Sequence, residues 1–389
     1  SKGKKIIGWD EILEGGLAPN AAVMSWRGTE GGIAAAKQKH NVVMSPGSHC
    51  YFDHYQSTPE FEPIAIGGFT PVQKVYAYDP VPTELSAEEK KFILGAQGNV
   101  WTEYITTASD VERMAVPRVI ALSEVLWTPK QNCDWENFSN RLHEHQQFLK
   151  IMGINSSSSI YDVLYKSIPS DNNDYAIELQ SQKSGKIYYT INGKNPTTDD
   201  QLYTKPIKLN ATATLKAALF LENDSTGKLL EKKFYHSLSS GKKINFIKPP
   251  SSYYKGENGF HLVNGILESG AEIRNKCTGW CNADAEFEID LGKICSIKKI
   301  SIYYLNDKKN EIFPPQNIIF SFSKKSGGTE LKNISHSNSV HINGDHVIEE
   351  FENCKARFVH VRVLNPKRIT NNNSAKKDCW ILLDEIHIE

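Results

Sequence analysis

Short apolar runs recur through the first 155 residues, and each ends at an aromatic or acidic residue. They lie at positions 5–8, 21–25, 41–45 and 93–96. Their length is that of buried strands, and polar or helix-like segments separate them. Parallel strands that carry such side chains at their carboxyl ends are typical of the catalytic face of an α/β barrel. We therefore predict about four βα units over residues 1–155, which is half of a (β/α)8 TIM barrel.

The pattern changes after the serine run at 156–159. Short alternating runs fill residues 160–240, and Asn192-Gly193 between two of them is a strong hairpin signal. We predict a small β-sandwich there. A second polar seam at 239–243 precedes further alternating runs with long connections over residues 244–389, which predict a β jelly roll. The chain is thus predicted to be a multidomain protein.

Composition and charge exclude several functions. The 389 residues are too many for one core. Lys and Arg together number 45, as do Asp and Glu, so no net charge attracts nucleic acid. No apolar run is long enough to cross a membrane. The histidines are scattered and there is no phosphate-binding loop, so we predict neither a metal nor a cofactor. Five of seven cysteines lie in the last domain, where we expect one or two disulfides.

Two pairs of residues predict a binding pocket in the first domain. Residues two apart in an extended strand face the same way, so Trp101 and Glu103 can share one pocket. Tyr51 and Asp53 repeat this spacing, with Phe52 turned to the core. They lie in a long irregular stretch, residues 47–90, which we predict forms a wall of the site together with His54 and Tyr55. Each pair could equally be a core aromatic beside a surface carboxylate. Their occurrence at the ends of two neighbouring runs favours a pocket.

Trp9 and Trp26 end two further apolar runs. Either one alone is more typical of a core, but with the two pairs they predict a box of aromatic rings, which suits the apolar faces of sugars. The adjacent carboxylates Asp10 and Glu11 point to opposite faces of an extended chain, so only one can face the pocket. We favour a salt bridge or a cap for this pair over a catalytic role.

Eight short blocks stand out along the first domain, at residues 8–16, 24–28, 45–46, 51–56, 78–82, 94–103, 117–118 and 121–127. Block by block and in the same order, they resemble the second half of the catalytic barrel of family 20 glycoside hydrolases, the β-N-acetylhexosaminidases. Residues 160–240 resemble the small domain that follows that barrel in chitobiase-type enzymes. Residues 260–389 resemble a discoidin-type (F5/8 C-like) galactose-binding module.

The resemblance implies a retaining exo-β-N-acetylhexosaminidase that removes terminal non-reducing N-acetylglucosamine or N-acetylgalactosamine. In that family the substrate's acetamido oxygen attacks the anomeric carbon, and no enzyme carboxylate is the nucleophile. By resemblance, Tyr51 donates its hydroxyl to that oxygen and stabilises the oxazolinium intermediate. The implied substrate-binding residues are Trp9, Trp26, Asp53, Trp101 and Glu103.

The chain departs from the family in one respect. The His-x-Gly-Gly-Asp-Glu stretch that holds the family's general acid Glu and its partner Asp is absent from all 389 residues. We therefore expect the chain to be inactive alone and to need the N-terminal half of the barrel, from the same polypeptide or a second chain. Its glycan substrates imply an exported protein whose signal is not in this chain. The alternative is a non-catalytic carbohydrate-binding or adhesive protein built on a degenerate barrel fragment.

Overall fold

The computed structural model describes residues 3–171, 173–222, 224–268, 273–326, 342–343, 346–366 and 378–389. The chain divides into two compact units. The first comprises residues 1–164 with 181–186 and 219–228, and the second comprises 165–180, 187–218 and 229–389. The boundaries of the three predicted domains, 1–155, 160–240 and 244–389, stay a prediction, and several stretches of the last one lie outside the described residues.

The four apolar runs of the first unit form one sheet in sequential order. Its strands are β1 (Ile7–Trp9), β2 (Ala22–Ser25), β3 (Val42–Met44) and β4 (Ile93–Ala96). All three pairings are parallel, as predicted. Val23, Val42 and Met44 are fully buried, so the β-branched and apolar positions of the central strands supply the packing. The carboxyl ends of the four strands therefore lie at one edge of the sheet.

Helices follow the strands. They are α1 (Glu30–Lys37), α2 (Gly47–Cys50), α3 (Val72–Tyr76), α4 (Ala87–Lys90), α5 (Ala108–Ala115), α6 (Arg118–Trp127) and α7 (Trp135–Ile151). Gly32 of α1 lies so close to Met44 that a Cβ atom would be 2.6 Å from its sulfur, which lets α1 pack tightly on the sheet. Pro117 separates α5 from α6. Residues 47–90 looked irregular because helices of four or five residues are too short to establish a period.

Two small sheets follow in the next part of the chain. The strands are β5 (Val163–Ser170), β6 (Asp174–Ser181), β7 (Lys186–Thr190), β8 (Gln201–Leu202), β9 (Ala213–Leu221) and β10 (Asp224–Phe234). One sheet has the order β10–β9–β7–β8 and the other pairs β5 with β6. Gly193 has a φ of 84° and turns the chain, but the antiparallel partner of β7 begins only at Gln201. Asn192-Gly193 is therefore part of a longer connection than the tight hairpin that we predicted.

The last part of the chain forms a seven-stranded sheet around a large apolar core. A short helix, α8 (Ile273–Lys276), precedes most of its strands, which are β11 (Lys243–Lys248), β12 (Thr278–Cys281), β13 (Ala285–Tyr304), β14 (Asn317–Ser323), β15 (Ile342–Asn343), β16 (His346–Leu364) and β17 (Trp380–Ile388). The pairings are antiparallel. The longest of these strands is β13, with 20 residues. The described strands join one hydrogen-bonded sheet, and the jelly roll of the discoidin type stays a prediction.

Two expectations concern the whole chain. All seven cysteines are described and all are free, so the prediction of one or two disulfides in the last domain is wrong. Among the described helices, none combines the length and the apolar composition that a membrane crossing requires.

Candidate active site

A cavity of about 480 Å³ opens where the strands of the first unit end, a size typical of small-molecule sites. Its lining includes all six residues predicted to bind or act on the ligand, which are Trp9, Trp26, Tyr51, Asp53, Trp101 and Glu103. It also includes His54, which we expected on this wall, and Glu11 and Ile66, which the sequence did not assign to the site. Tyr55, which we had placed on the same wall, is buried in a small core instead.

Aromatic rings form two walls of the cavity. The rings of Trp26 and Tyr51 stack with centroids 6.3 Å apart and planes 26° apart, and the ring of His54 lies 5.6 Å from that of Tyr51. On the other wall, the rings of Trp9 and Trp101 lie 5.8 Å apart at 42°. Trp101 remains 42% exposed. The apolar surface that these rings offer suits the C–H face of a sugar or an acyl methyl group.

Tyr51 directly follows α2, and the chain that leaves β4 holds it in place. It forms an isolated parallel bridge with Asn99. The amide of Phe52 donates to the Asn99 carbonyl at 2.6 Å, and the Asn99 amide donates to the Cys50 carbonyl at 2.7 Å. Phe52 is buried against Gly98, where a Cβ atom would be 2.4 Å from its ring. Burial raises the pKa of the Tyr51 hydroxyl above its ordinary value, so Tyr51 is a hydrogen-bond donor at neutral pH.

Asp53 is the buried carboxylate of the cavity, only 6% exposed. Burial raises its pKa to about 6, the charge of Glu103 adds to this increase, and the charge of Arg118 opposes it. Its Oδ1 atom is buried and has no hydrogen-bond partner among the described residues. Buried polar atoms in native proteins almost always have a partner. This oxygen is therefore a suitable acceptor for a hydroxyl group of a ligand.

Arg118 at the start of α6 fixes the segment that carries Asp53. Its guanidinium is fully buried. Its Nη2 donates to the Phe52 carbonyl at 2.5 Å, and Nη1 donates to the carbonyls of His54 and Thr70 at 3.0 Å. Bonds to the Met114 carbonyl anchor the same side chain to the preceding helix. The resemblance included Arg118 in a matching block without assigning it a role, and only the structure shows what it holds.

His54 lies beside Tyr51 with a restricted ring. Its Nδ1 is 3.0 Å from the Thr70 hydroxyl. Gly68 has a φ of +72°, and a Cβ atom there would be 2.6 Å from the same nitrogen, so the position accepts only glycine. Burial lowers the pKa of His54 to about 4, so the imidazole is neutral at pH 7. A neutral imidazole provides one donor and one acceptor.

The route by which Trp101 and Glu103 reach the cavity differs from the prediction. We expected a strand or its immediate end, with both side chains on one face. In the structure β4 ends at Ala96, and both residues lie beyond it in irregular chain, with Glu103 in a turn. Both nevertheless line the cavity. The alternation of a strand therefore does not explain their common direction.

The described residues place no group of three or more His, Cys, Asp or Glu side chains where it could hold a metal ion. The chemistry that the cavity offers is that of hydrogen bonds and ring contacts. A protonated phenol, three carboxylates and three indoles line this cavity. They define a site for an uncharged, polyhydroxylated ligand with an apolar face.

Comparison with known proteins identifies the class to which the first part of the chain is similar. Residues 1–130 match the family model for the catalytic domain of glycosyl hydrolase family 20. Residues 171–229 match the model for the chitobiase/beta-hexosaminidase C-terminal domain. These matches and the named relatives support the prediction of a glycoside hydrolase.

The named relatives are hexosaminidases. A beta-hexosaminidase of Porphyromonas gingivalis is 43% identical over 222 residues, which are 55% of this chain and 28% of the relative. A beta-N-acetylhexosaminidase of Cellulomonas fimi is 34% identical over 155 residues, 39% of this chain and 31% of the relative. The crystal structure of a GH20 exo beta-N-acetylglucosaminidase from Vibrio harveyi with N-acetylglucosamine aligns over 40% of this chain and 25% of that chain, at 31% identity and a TM-score of 0.36. The chain thus spans under a third of these two relatives' length.

Proposed function

We propose that the cavity binds the terminal non-reducing N-acetylhexosamine of a glycan and that this chain is the sugar-binding half of an exo-β-N-acetylhexosaminidase. The observation that carries the proposal is the common cavity of Trp9, Trp26, Tyr51, Asp53, Trp101 and Glu103. The names of the hexosaminidase relatives support the same substrate class. No cofactor enters the proposal.

Each lining group has a role in this proposal. The indoles enclose the acetamido methyl group and one face of the sugar, which excludes water and restricts the acetamido group to the geometry of attack. The protonated Tyr51 hydroxyl donates to the acetamido oxygen and stabilises the charge of an oxazolinium intermediate. Asp53 and Glu103 accept hydrogen bonds from sugar hydroxyls, and charged acceptors make such bonds stronger.

A second segment completes the barrel in our proposal. Within the described sheet, β1 and β4 each pair with one neighbour. Ile7 on β1 is 52% exposed and Leu94 on β4 is 60% exposed. Open strand edges that carry apolar side chains favour pairing with further strands. The N-terminal half of the barrel, in the same polypeptide or a second chain, would supply those strands and the general acid Glu with its partner Asp. We further propose that the enzyme is exported, because its glycan substrates lie outside the cytoplasm.

A complementation assay tests the proposal. The chain is combined with the N-terminal barrel half of a family 20 relative, assembly is verified by size-exclusion chromatography, and a chromogenic N-acetylglucosaminide is the substrate. We expect turnover by the assembly and none by the chain alone. In the assembly, Tyr51→Phe should lower kcat more than it changes KM, because its hydrogen bond strengthens as charge develops. The matched variant Tyr253→Phe, at an 85% exposed site in the other unit, should leave both constants unchanged.

Two results would contradict the proposal. A verified assembly that binds N-acetylglucosamine without cleaving the substrate would favour the carbohydrate-binding alternative. An active assembly whose kcat is unaffected by Tyr51→Phe would refute the role of the phenol.

A further inference from the structure

Two adjacent carboxylates hold Trp26 from its two ends. The Oδ2 atom of Asp10 accepts from the Trp26 main-chain amide at 3.1 Å. The two carboxylate oxygens of Glu11 each lie 3.0 Å from the Trp26 indole nitrogen, which donates to both. The main chain of Trp26 and the far edge of its ring are therefore fixed by neighbouring residues of one segment.

The local fold explains why adjacent side chains can do this. A 3-10 helix begins at Asp10, directly after β1, so the chain is no longer extended there. Asp10 is only 2% exposed and pairs with the Nε of Arg27 at 2.6 Å. Gly31 leaves room for it, since a Cβ atom there would be 2.8 Å from that of Asp10. Asp10 is thus the buried anchor of the turn, and the predicted salt bridge is present.

Glu11 differs from Asp10 in environment. It is exposed and lines the cavity. The hydrogen bond from Trp26 lowers the pKa of Glu11, so its carboxylate is ionised at neutral pH. Hydrogen bonds to ionised acceptors are stronger than those between neutral groups. An indole held at its nitrogen cannot turn about its side-chain torsions without losing this bond, and the held orientation is the one that stacks on Tyr51.

We infer that Glu11 is a positioning residue for the cavity: its carboxylate holds the Trp26 indole against Tyr51 and so shapes the wall that receives the sugar. The part of this inference that concerns the sugar rests on the proposed function. The part that concerns the indole rests on the contacts of Glu11 alone. Nothing in the family resemblance assigned Glu11 to the pocket.

Nuclear magnetic resonance of the full chain tests the indole contact without any ligand. The Trp26 indole N–H signal is assigned by its loss in Trp26→Phe. Glu11→Ala should move this signal upfield, since a strong acceptor is lost, and Glu11→Gln should restore part of the shift because its amide oxygen still accepts. Glu14→Ala is the matched control, because Glu14 is exposed on the same 3-10 helix and pairs with Arg27 rather than the indole. An unchanged signal in Glu11→Ala would overturn the inference.

Titration with N-acetylglucosamine tests the consequence for the sugar. Glu11→Ala should weaken binding by up to about tenfold, the value of one hydrogen bond to a charged group, because the sugar must then order an indole that this bond no longer holds. Glu11→Gln should weaken binding less. A shifted indole signal with unchanged affinity would overturn the positioning role. If the unaltered chain, alone and in the assembly, does not bind the sugar, the proposed function fails, whereas the indole signal still decides whether Glu11 holds Trp26.

Discussion

Replacing Asp53 with asparagine should stabilise the fold and weaken the site at once. The side chain is 6% exposed, and burial raises its pKa to about 6 from a reference value of 3.8. A shift of about two units corresponds to roughly 3 kcal/mol of unfavourable free energy for the ionised form in the folded state. Asparagine has nearly the same shape and carries no charge, so it escapes this penalty.

The sign of the pH dependence follows from the direction of the shift. Because the folded-state pKa is the higher one, the folded protein retains a proton that the unfolded chain releases between about pH 4 and 6. The free energy of unfolding therefore falls as pH rises through this window and stays lower above it. Asp53→Asn should unfold with a free energy about 1–3 kcal/mol above that of the unaltered chain at pH 8, and with nearly the same value near pH 4.

Urea denaturation at the two pH values measures this difference, and titration with N-acetylglucosamine measures the functional loss. The exposed Asp199→Asn is the matched control and should change neither quantity. For the unaltered chain, sugar affinity should fall as pH falls through 6, since protonation removes a charged acceptor. Equal unfolding free energies of Asp53→Asn and the unaltered chain at pH 8, or an unchanged affinity of the variant, would refute the assignment of Asp53 as a buried, ionised acceptor.

Two further substitutions test how the site is held. Arg118→Met should raise the pKa of Asp53 above 6, because it removes the nearby positive charge. Carbon NMR of the Asp53 carboxyl group measures this pKa. Arg118→Lys keeps the charge and should leave the pKa of Asp53 nearer its original value, so the same pKa in both variants would contradict the reasoning. Arg118→Met should also lower the free energy of unfolding by several kcal/mol, since it leaves buried carbonyls without donors, each at about 1–3 kcal/mol. Gly68→Ala should lower the melting temperature and shift the His54 ring signals, because alanine combines a strained φ with a clash; an unaltered melting temperature would refute the packing at His54.

Much of the first unit was predictable from sequence. The four strands were evident because buried parallel strands are short, apolar and bounded by polar segments, and their parallel order brings their ends together. Tyr51, Asp53, Trp101 and the other expected residues reached the same cavity for that reason. This convergence follows from the parallel order of the strands. It brings Trp101 and Glu103 to the cavity even though they lie in irregular chain beyond β4 and not in an extended strand.

Glu11 could not be placed in the same way. The argument that neighbours face opposite sides holds for extended chain, and the chain turns into a 3-10 helix at Asp10. The restriction of the His54 ring was likewise hidden, because it depends on Gly68 and Thr70, which approach the ring only after folding. The role of Arg118 depends on carbonyl groups 48 to 66 residues away in sequence, and no pattern of side chains records such contacts.

The central claim is that the cavity receives an N-acetylhexosamine, and a crystal structure of the chain with N-acetylglucosamine tests it most directly. We predict that the acetamido methyl group lies among the indoles of Trp9, Trp26 and Trp101, that its oxygen lies about 2.7 Å from the Tyr51 hydroxyl, and that a ring hydroxyl donates to Asp53. A sugar bound elsewhere on the chain, with this cavity filled only by solvent at saturating concentration, would contradict the account.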